Sequence, residues 1–336
     1  MQLRGINYDT GFSGAVGDRS RIGFDPDVAR RELSIIATDL HCAAVRISGD
    51  DPDRITLAAH AAIDAGLRVW FAPFPMDLTP TELLPYFERC ARGAAEIHAR
   101  DPETVLVLGC EMSLFATGFV PGDHLMLRLR NAMNLEAWAD FRPVADFNTT
   151  LAGIADAARR HFGGPITYAS GEWEDVDWSR FDFASVDLYR SAANADTFAE
   201  AVRKQVAPGK PFVATEFGCC TYQGAAGAGG TGWAIVDYEA KPHRLNGDYV
   251  RDESVQVAYF NELMDVFEVE GAHGAFWFTF AAYEAPFNAD PRLDLDMAGY
   301  GTVKILNGEK GVRYPDMGWE PKAVFDAIAT RFGASR

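Results

Sequence analysis

Two glutamates, Glu111 and Glu216, are the residues of this chain best placed to do chemistry. Each follows a short apolar run, Val105–Gly109 and Phe212–Thr215, of the kind that reads as a buried strand. A charge at the end of such a run is seldom there for packing. Two carboxyls brought together repel one another, and that repulsion plus burial pushes their pKa values apart, so that one can donate a proton while the other stays charged. Other strand-end positions add Asn7 and Asp9 to the first strand, Arg46 to the second, Asp77 just past the third and Glu172 past the fifth. The sixth contributes Asp187, Tyr189 and Arg190, and the eighth Trp277. Arg46 beside a carboxylate would favour its charged form. Tyr189 would donate a hydrogen bond to it, and Trp277 would offer a flat apolar face.

The elements that must carry these residues alternate strand and helix. Strands are expected at Leu3–Tyr8, Ala43–Ile47, Arg68–Phe74, Val105–Gly109, Ile166–Ser170, Phe183–Leu188, Phe212–Thr215 and Gly274–Phe278. Amphipathic helices are expected at about 25–38, 52–65, 80–100, 142–162, 195–206, 253–270 and 321–332. Asp25-Pro26 supplies a cap followed by Pro at the first helical position, and Gly66 closes the second helix. The segment from Met112 to about Asn134 reads as a loop or a broken helix, and the glycine-rich run at 224–232 as a mobile lid. Eight strands, each followed by a helix or helical connection, predict an α/β fold, a (β/α)₈ TIM barrel, as one domain over residues 1–336. Long loops follow strands four, seven and eight. An open doubly wound sheet would usually carry Gly-x-Gly-x-x-Gly after its first strand, and none is present there. Active sites of closed barrels lie at the C-terminal ends of the strands, where the polar residues above are gathered.

Their order and register resemble the large clan of (β/α)₈ retaining glycoside hydrolases with the acid/base after strand four and the nucleophile after strand seven. Arg-Gly-Ile-Asn-Tyr at 4–8 is similar to that clan's first-strand signature, Arg46 to its second-strand arginine, and Thr-Glu-Phe-Gly at 215–218 to its nucleophile motif. Tyr189 and Trp277 match its strand-six and strand-eight aromatics, and Trp-Glu-Pro-Lys-Ala at 319–323 resembles the opening of its last helix. The full sequence also resembles a bacterial group labelled abortive infection proteins. The clan resemblance implies Glu216 as nucleophile and Glu111 as acid/base, about 5–5.5 Å apart. It further implies a glycoside as substrate, with Trp277 stacking on the sugar and Asn7, Asp9, Glu172 and Asp187 in support; the long loops after strands four, seven and eight, expected to close the mouth into a pocket, predict a small glycoside or glycosylated metabolite rather than a polymer.

One residue departs from the pattern. The clan usually has Asn immediately before the acid/base, where its amide bonds the sugar 2-hydroxyl, and here that residue is Cys110. A thiol is a weak donor. Two other readings therefore stand beside glycoside cleavage: acid/base cyclisation or hydrolysis of a non-sugar metabolite on the same acid pair, and a non-catalytic barrel that binds a ligand or acts in phage defence.

Composition narrows the partners. The 31 Lys and Arg against 48 Asp and Glu give a net charge of −17, which argues against nucleic acid and anionic membrane. No run of about 20 apolar residues predicts a membrane span. No leader pattern is visible, so a cytoplasmic location is expected. The five cysteines lack paired Cys-x-x-Cys spacing and the seven histidines lack His-x-His or His-x-x-x-His pairs, so no metal and no cofactor is expected. Oligomeric state is left open.

Overall fold

The apolar runs form eight parallel strands, β1 (Leu3–Asp9), β2 (Ala44–Gly49), β3 (Arg68–Pro73), β4 (Val105–Cys110), β5 (Ile166–Gly171), β6 (Ala184–Asp187), β7 (Phe212–Phe217) and β8 (Gly274–Trp277). Each pairs with its neighbour, and β8 pairs with both β7 and β1, so the sheet closes into a barrel without an edge. This is a (β/α)₈ TIM barrel. The computed structural model describes residues 1–13, 19–132, 134–139, 141–207 and 209–334.

Seven longer helices pack around it: α1 (Pro26–Thr38), α2 (Pro52–Asp64), α3 (Pro80–Arg100), α4 (Phe147–Arg159), α5 (Phe198–Val206), α6 (Ser254–Glu270) and α7 (Ala323–Gly333). The first three open alike, with Asp25, Asp51 or Thr79 as cap and a proline in the first turn; Thr79 and Glu82 complete a capping box. α4 starts at Phe147 and not at Arg142, because the Asp146 carboxylate accepts the Thr149 N–H at 2.7 Å and sets the first turn there. α7 starts two residues later than expected, since Trp319–Pro321 pairs antiparallel with Val303–Ile305. The segment after β4 forms three short helices, Met112–Phe115, Leu125–Ala132 and Leu135–Trp138. β5 and β6 are joined through a single 3₁₀ turn at Trp178–Arg180. Among the described residues no helix is long and apolar enough to cross a membrane.

Strand alternation divides the core in two. Inward side chains fill the barrel: Leu3, Ala44, Trp70, Val105, Val213 and Phe276, then Ala72, Val107 and Ala169 above them. Trp70 and Phe276 stand 5.1 Å apart between ring centres. Phe276 leaves no room on β1, where a Cβ at Gly5 would come within 2.4 Å of its ring. Outward side chains, among them Ile6, Tyr8, Leu106, Leu108, Phe217 and Trp277, pack under the helices.

Simple alternation breaks in two strands. On β4, three steps from Val107 to Cys110 face two steps on β5 from Thr167 to Ala169. On β7, two steps from Ala214 to Glu216 face a single step on β6 from Val186 to Asp187, and three steps to Phe217 face two on β8. Each strand thus carries one extra residue, a β-bulge that re-aims the side chains beyond it. Gly109 takes up the β4 bulge at φ +94°. The bulges turn Cys110 and Glu216 toward the barrel axis.

The glycine-rich run after β7 forms a helical turn at Ala225–Ala228 and a 3₁₀ segment at Gly229–Ile235. It is seated against the mouth: the Gly232 N–H donates to Tyr300 Oη at 3.0 Å, and a Cβ at Gly230 would lie 3.2 Å from the Tyr189 ring.

Candidate active site

Glu216, aimed by the β7 bulge, is held at both carboxylate oxygens. Arg46 Nη1 donates to Oε1 at 2.6 Å, and Tyr189 Oη donates to Oε2 at 3.0 Å. Arg46 is itself fixed: the same Nη1 donates to Asn7 Oδ1 at 2.7 Å, and the Asn7 amide donates to the Thr215 carbonyl at 3.0 Å. Asn7 therefore ties β1, β2 and β7 together beneath the carboxylate. The Arg46 guanidinium is buried, which disfavours its charge, but the surrounding acids outweigh that and hold it protonated. Burial and the Glu216 charge raise the Tyr189 hydroxyl, so it stays a donor.

Cys110 and Asp187 form the floor below. The Cys110 thiol donates to Asp187 Oδ2 at 3.2 Å and lies 3.7 Å from Glu216 Oε1. Burial, then the charge of Glu216, pushes Asp187 up to about 8. Burial, then Asp187 and Glu216, pushes the Cys110 thiol well up.

Glu111 sits directly above the β4 bulge with a left-handed backbone, φ +43°, a conformation uncommon for a side chain of this kind. Its N–H donates to the Ala169 carbonyl at 2.8 Å and its carbonyl closes the turn Met112–Phe115. Among the described residues its carboxyl makes no hydrogen bond or ion pair. Burial first, then the charges of Asp187 and Glu216, raise it well above the ordinary carboxylate range. The two glutamates thus sit in opposite circumstances within one electrostatic cluster.

The remaining candidates lie elsewhere. Asp9 accepts the Gly11 N–H at 2.7 Å and shapes the turn after β1. Glu172 is exposed on the rim, where it accepts the backbone N–H of Tyr189. Asp77 pairs with the buried Arg128, which also donates to the Leu114 carbonyl and so ties the loops after β3 and β4 together. Arg190 turns outward to Glu262 on α6. Trp277 requires a correction. It is fully buried on the outer side of β8, 5.4 Å from Phe217 and 5.8 Å from Phe260 of α6 between ring centres. Phe276 points into the barrel, so its neighbour Trp277 must point away, and it presents no face to the mouth.

Sequence reasoning missed Glu174. This half-buried acid accepts N–H groups from Ser113 at 2.9 Å and Gly171 at 3.0 Å, and the Tyr168 hydroxyl at 2.8 Å, and it adds its charge to the field at Glu111. The carboxylates flanking Trp173 in Gly-Glu-Trp-Glu at 171–174 were the available signal.

Cys110, Asp187 and Glu216 have donor atoms within 4.8 Å of one another, a set that could ligate a metal ion. Two features oppose this. Arg46 already sits on Glu216 with a fixed positive charge, and the raised thiol favours S–H over the thiolate a metal needs. A separate cavity of about 350 Å³ lies at the loops after β7 and β8, lined by Tyr249, Arg251, Phe287 and Asp294 among others, and none of the candidate residues borders it.

No protein-family model matches the chain, and a search of curated proteins finds no match. Solved structures do match. A GH113 β-1,4-mannanase superposes with a TM-score of 0.60 at 16% identity, over 99% of this chain and 100% of that one. The GH113 β-mannanase AaManA from Alicyclobacillus acidocaldarius, in complex with ManMIm, gives 0.59 at 16%, over 100% and 98%. The β-glucosidase 1317 gives 0.56 at 13%, over 99% and 98%. At these identities the likeness is one of fold.

Proposed function

We propose that this chain is a retaining glycoside hydrolase that cleaves a small glycoside or glycosylated metabolite, with Glu216 as nucleophile and Glu111 as acid and base. The observation that carries this is the asymmetry of the two carboxyls: Glu216 is ion-paired and hydrogen-bonded at both oxygens, whereas Glu111 makes no ion pair or hydrogen bond through its carboxyl among the described residues and is raised by its surroundings. In the first step a Glu216 oxygen attacks the anomeric carbon while Glu111 gives its proton to the departing glycosidic oxygen. In the second, the Glu111 carboxylate takes a proton from water, whose oxygen displaces Glu216 and releases the sugar. Arg46 and Tyr189 hold Glu216 in place through both displacements. The fold shared with a mannanase and a glucosidase supports the reading, and the long loops after β4, β7 and β8 favour a small substrate over a polymer. No metal or organic cofactor enters the scheme.

The test is Glu216→Gln assayed on aryl glycosides, with turnover expected to fall by about a thousandfold or more. A 2-deoxy-2-fluoro glycoside should leave a stable adduct on Glu216, read by peptide mass. Full activity in the Gln variant would overturn the assignment, and a long-chain polysaccharide as best substrate would overturn the substrate class.

A second reading is favoured by the Cys110–Asp187 contact, which stands where a glycosidase of this kind keeps its 2-hydroxyl donor. In it the same acid pair protonates and cyclises or hydrolyses a non-sugar metabolite. Loss of such an activity in Glu111→Gln, with no glycoside turned over by the wild type, would establish it.

A further inference from the structure

We propose that Tyr300 is a positioning residue for the nucleophile: its hydroxyl clamps the glycine-rich segment against the ring of Tyr189 and so keeps Tyr189 on Glu216. This rests on the glycosidase reading and deepens it, by making the glycine-rich run a fixed part of the site and not a lid.

Tyr300 lies in the loop after β8, just past the turn Leu295–Ala298, and is buried. Its hydroxyl is used in both senses. It donates to the Gly229 carbonyl at 2.9 Å and accepts the Gly232 N–H at 3.0 Å. One phenol thus closes both ends of the arc Gly229-Gly230-Thr231-Gly232. The arc is pressed close to what lies under it. A Cβ at Gly232 would come within 2.9 Å of Cys220 Sγ, and one at Gly229 within 3.0 Å of the Arg190 carbonyl.

The middle of the arc rests on Tyr189, whose ring lies 3.2 Å from where a Cβ of Gly230 would stand. The Tyr300 ring meets the same tyrosine edge to face, 6.0 Å between centres. Below, the Asn194 amide donates to the Tyr189 carbonyl at 3.0 Å. With backbone and ring both held, the Tyr189 hydroxyl is delivered to Glu216 Oε2 at 3.0 Å. Placement matters here more than strength, since a shift of about 1 Å at a reacting group can cost a hundredfold in rate. Tyr222 also donates to the Gly232 carbonyl, at 3.2 Å, but its ring pairs with Tyr249. Tyr300 touches both the arc and Tyr189.

The experiment compares wild type, Tyr300→Phe, Gly230→Ala, Tyr189→Phe and the double variant Tyr300→Phe with Tyr189→Phe, on one aryl glycoside. Gly230→Ala pushes on the Tyr189 ring from the arc and leaves Tyr300 intact. Thr231→Ala is the control, because Thr231 is exposed and its hydroxyl donates to the Ala228 carbonyl. In Tyr300→Phe and Gly230→Ala, kcat should fall about tenfold with KM within about twofold, and Thr231→Ala should match the wild type. In the Tyr189→Phe background, Tyr300→Phe should cost less than about twofold, because the two residues act through one contact. A full tenfold loss in that background, or none in Tyr300→Phe alone, overturns the clamp. So does a rise in KM at constant kcat, which would make the arc a substrate-binding lid. Fluorine NMR of fluorotyrosine-labelled protein separates this from the parent reading. The Tyr189 resonance, the one missing from Tyr189→Phe, should move in Tyr300→Phe and Gly230→Ala and stay in place in Thr231→Ala. That pattern in a protein that turns over no glycoside would keep the clamp and discard the glycosidase. An unmoved Tyr189 resonance in an active enzyme would do the reverse.

Discussion

The Cys110 thiol donates to Asp187 Oδ2 at 3.2 Å, directly beneath the Glu216 carboxylate. A weak donor is thereby turned toward an acid of the protein itself, and away from any ligand in the mouth. Cys110→Asn restores an amide at this position. On a glycoside carrying a 2-hydroxyl, kcat/KM should rise by about tenfold or more, since that bond is worth several kcal/mol in the transition state. Initial-rate kinetics on aryl glycosides measure it, and an unchanged or lower rate would favour the non-sugar reading.

Asp187 predicts a pH-dependent stability. Its folded pKa is raised to about 8, against about 3.9 in an unfolded chain. Between those values the native state keeps a proton that the unfolded state releases, so this group subtracts stability as pH rises through the window. Asp187→Asn removes the liability. Its melting temperature should gain on the wild type from about pH 5 to about pH 8. A difference that stays constant across that range, followed by calorimetry, would contradict the assignment.

Glu111 predicts the alkaline limb of activity. As the acid it must be protonated, so activity is present below its raised pKa and is lost as pH climbs past it. In Glu111→Gln that limb should vanish, and the residual rate should survive best on aryl glycosides with acidic leaving groups. The pH profile of kcat/KM for both proteins is the measurement. A limb that persists unchanged in the variant would assign it to another group.

Trp277 predicts a packing effect alone. Trp277→Phe should leave KM within about twofold of wild type while lowering stability by about 1 kcal/mol, the lost ring contacts being partly offset by removal of an indole N–H that has no partner among the described residues. Denaturant melts and steady-state kinetics test both halves. A severalfold rise in KM at unchanged stability would return Trp277 to the mouth.

The barrel was legible because its signals are local. Apolar strands alternate with capped helices, and Asp25-Pro26 and Asp51-Pro52 mark helix starts within a residue. The gathering of Arg46, Tyr189, Cys110 and Asp187 around Glu216 was also within reach, since strand ends converge in any closed barrel. What escaped depends on facing. Strand alternation anchored on Phe276 would have turned Trp277 outward, but which residue of that strand faces in is not marked in the sequence. Glu174 and Trp173 owe their positions to contacts between two separate loops, through Ser113, and no spacing announces such a pairing.

Both carboxyl-bearing strands hold one residue more than their neighbours. The address of each glutamate is therefore a count and not only an identity. Replacing Gly109 by a residue that refuses its left-handed φ should leave the β4 strand able to close the cylinder, yet it would revert to strict in-and-out order and swing Cys110 toward the helices. A single substitution that flattens the bulge would thus switch the chemistry off in one step while sparing the architecture.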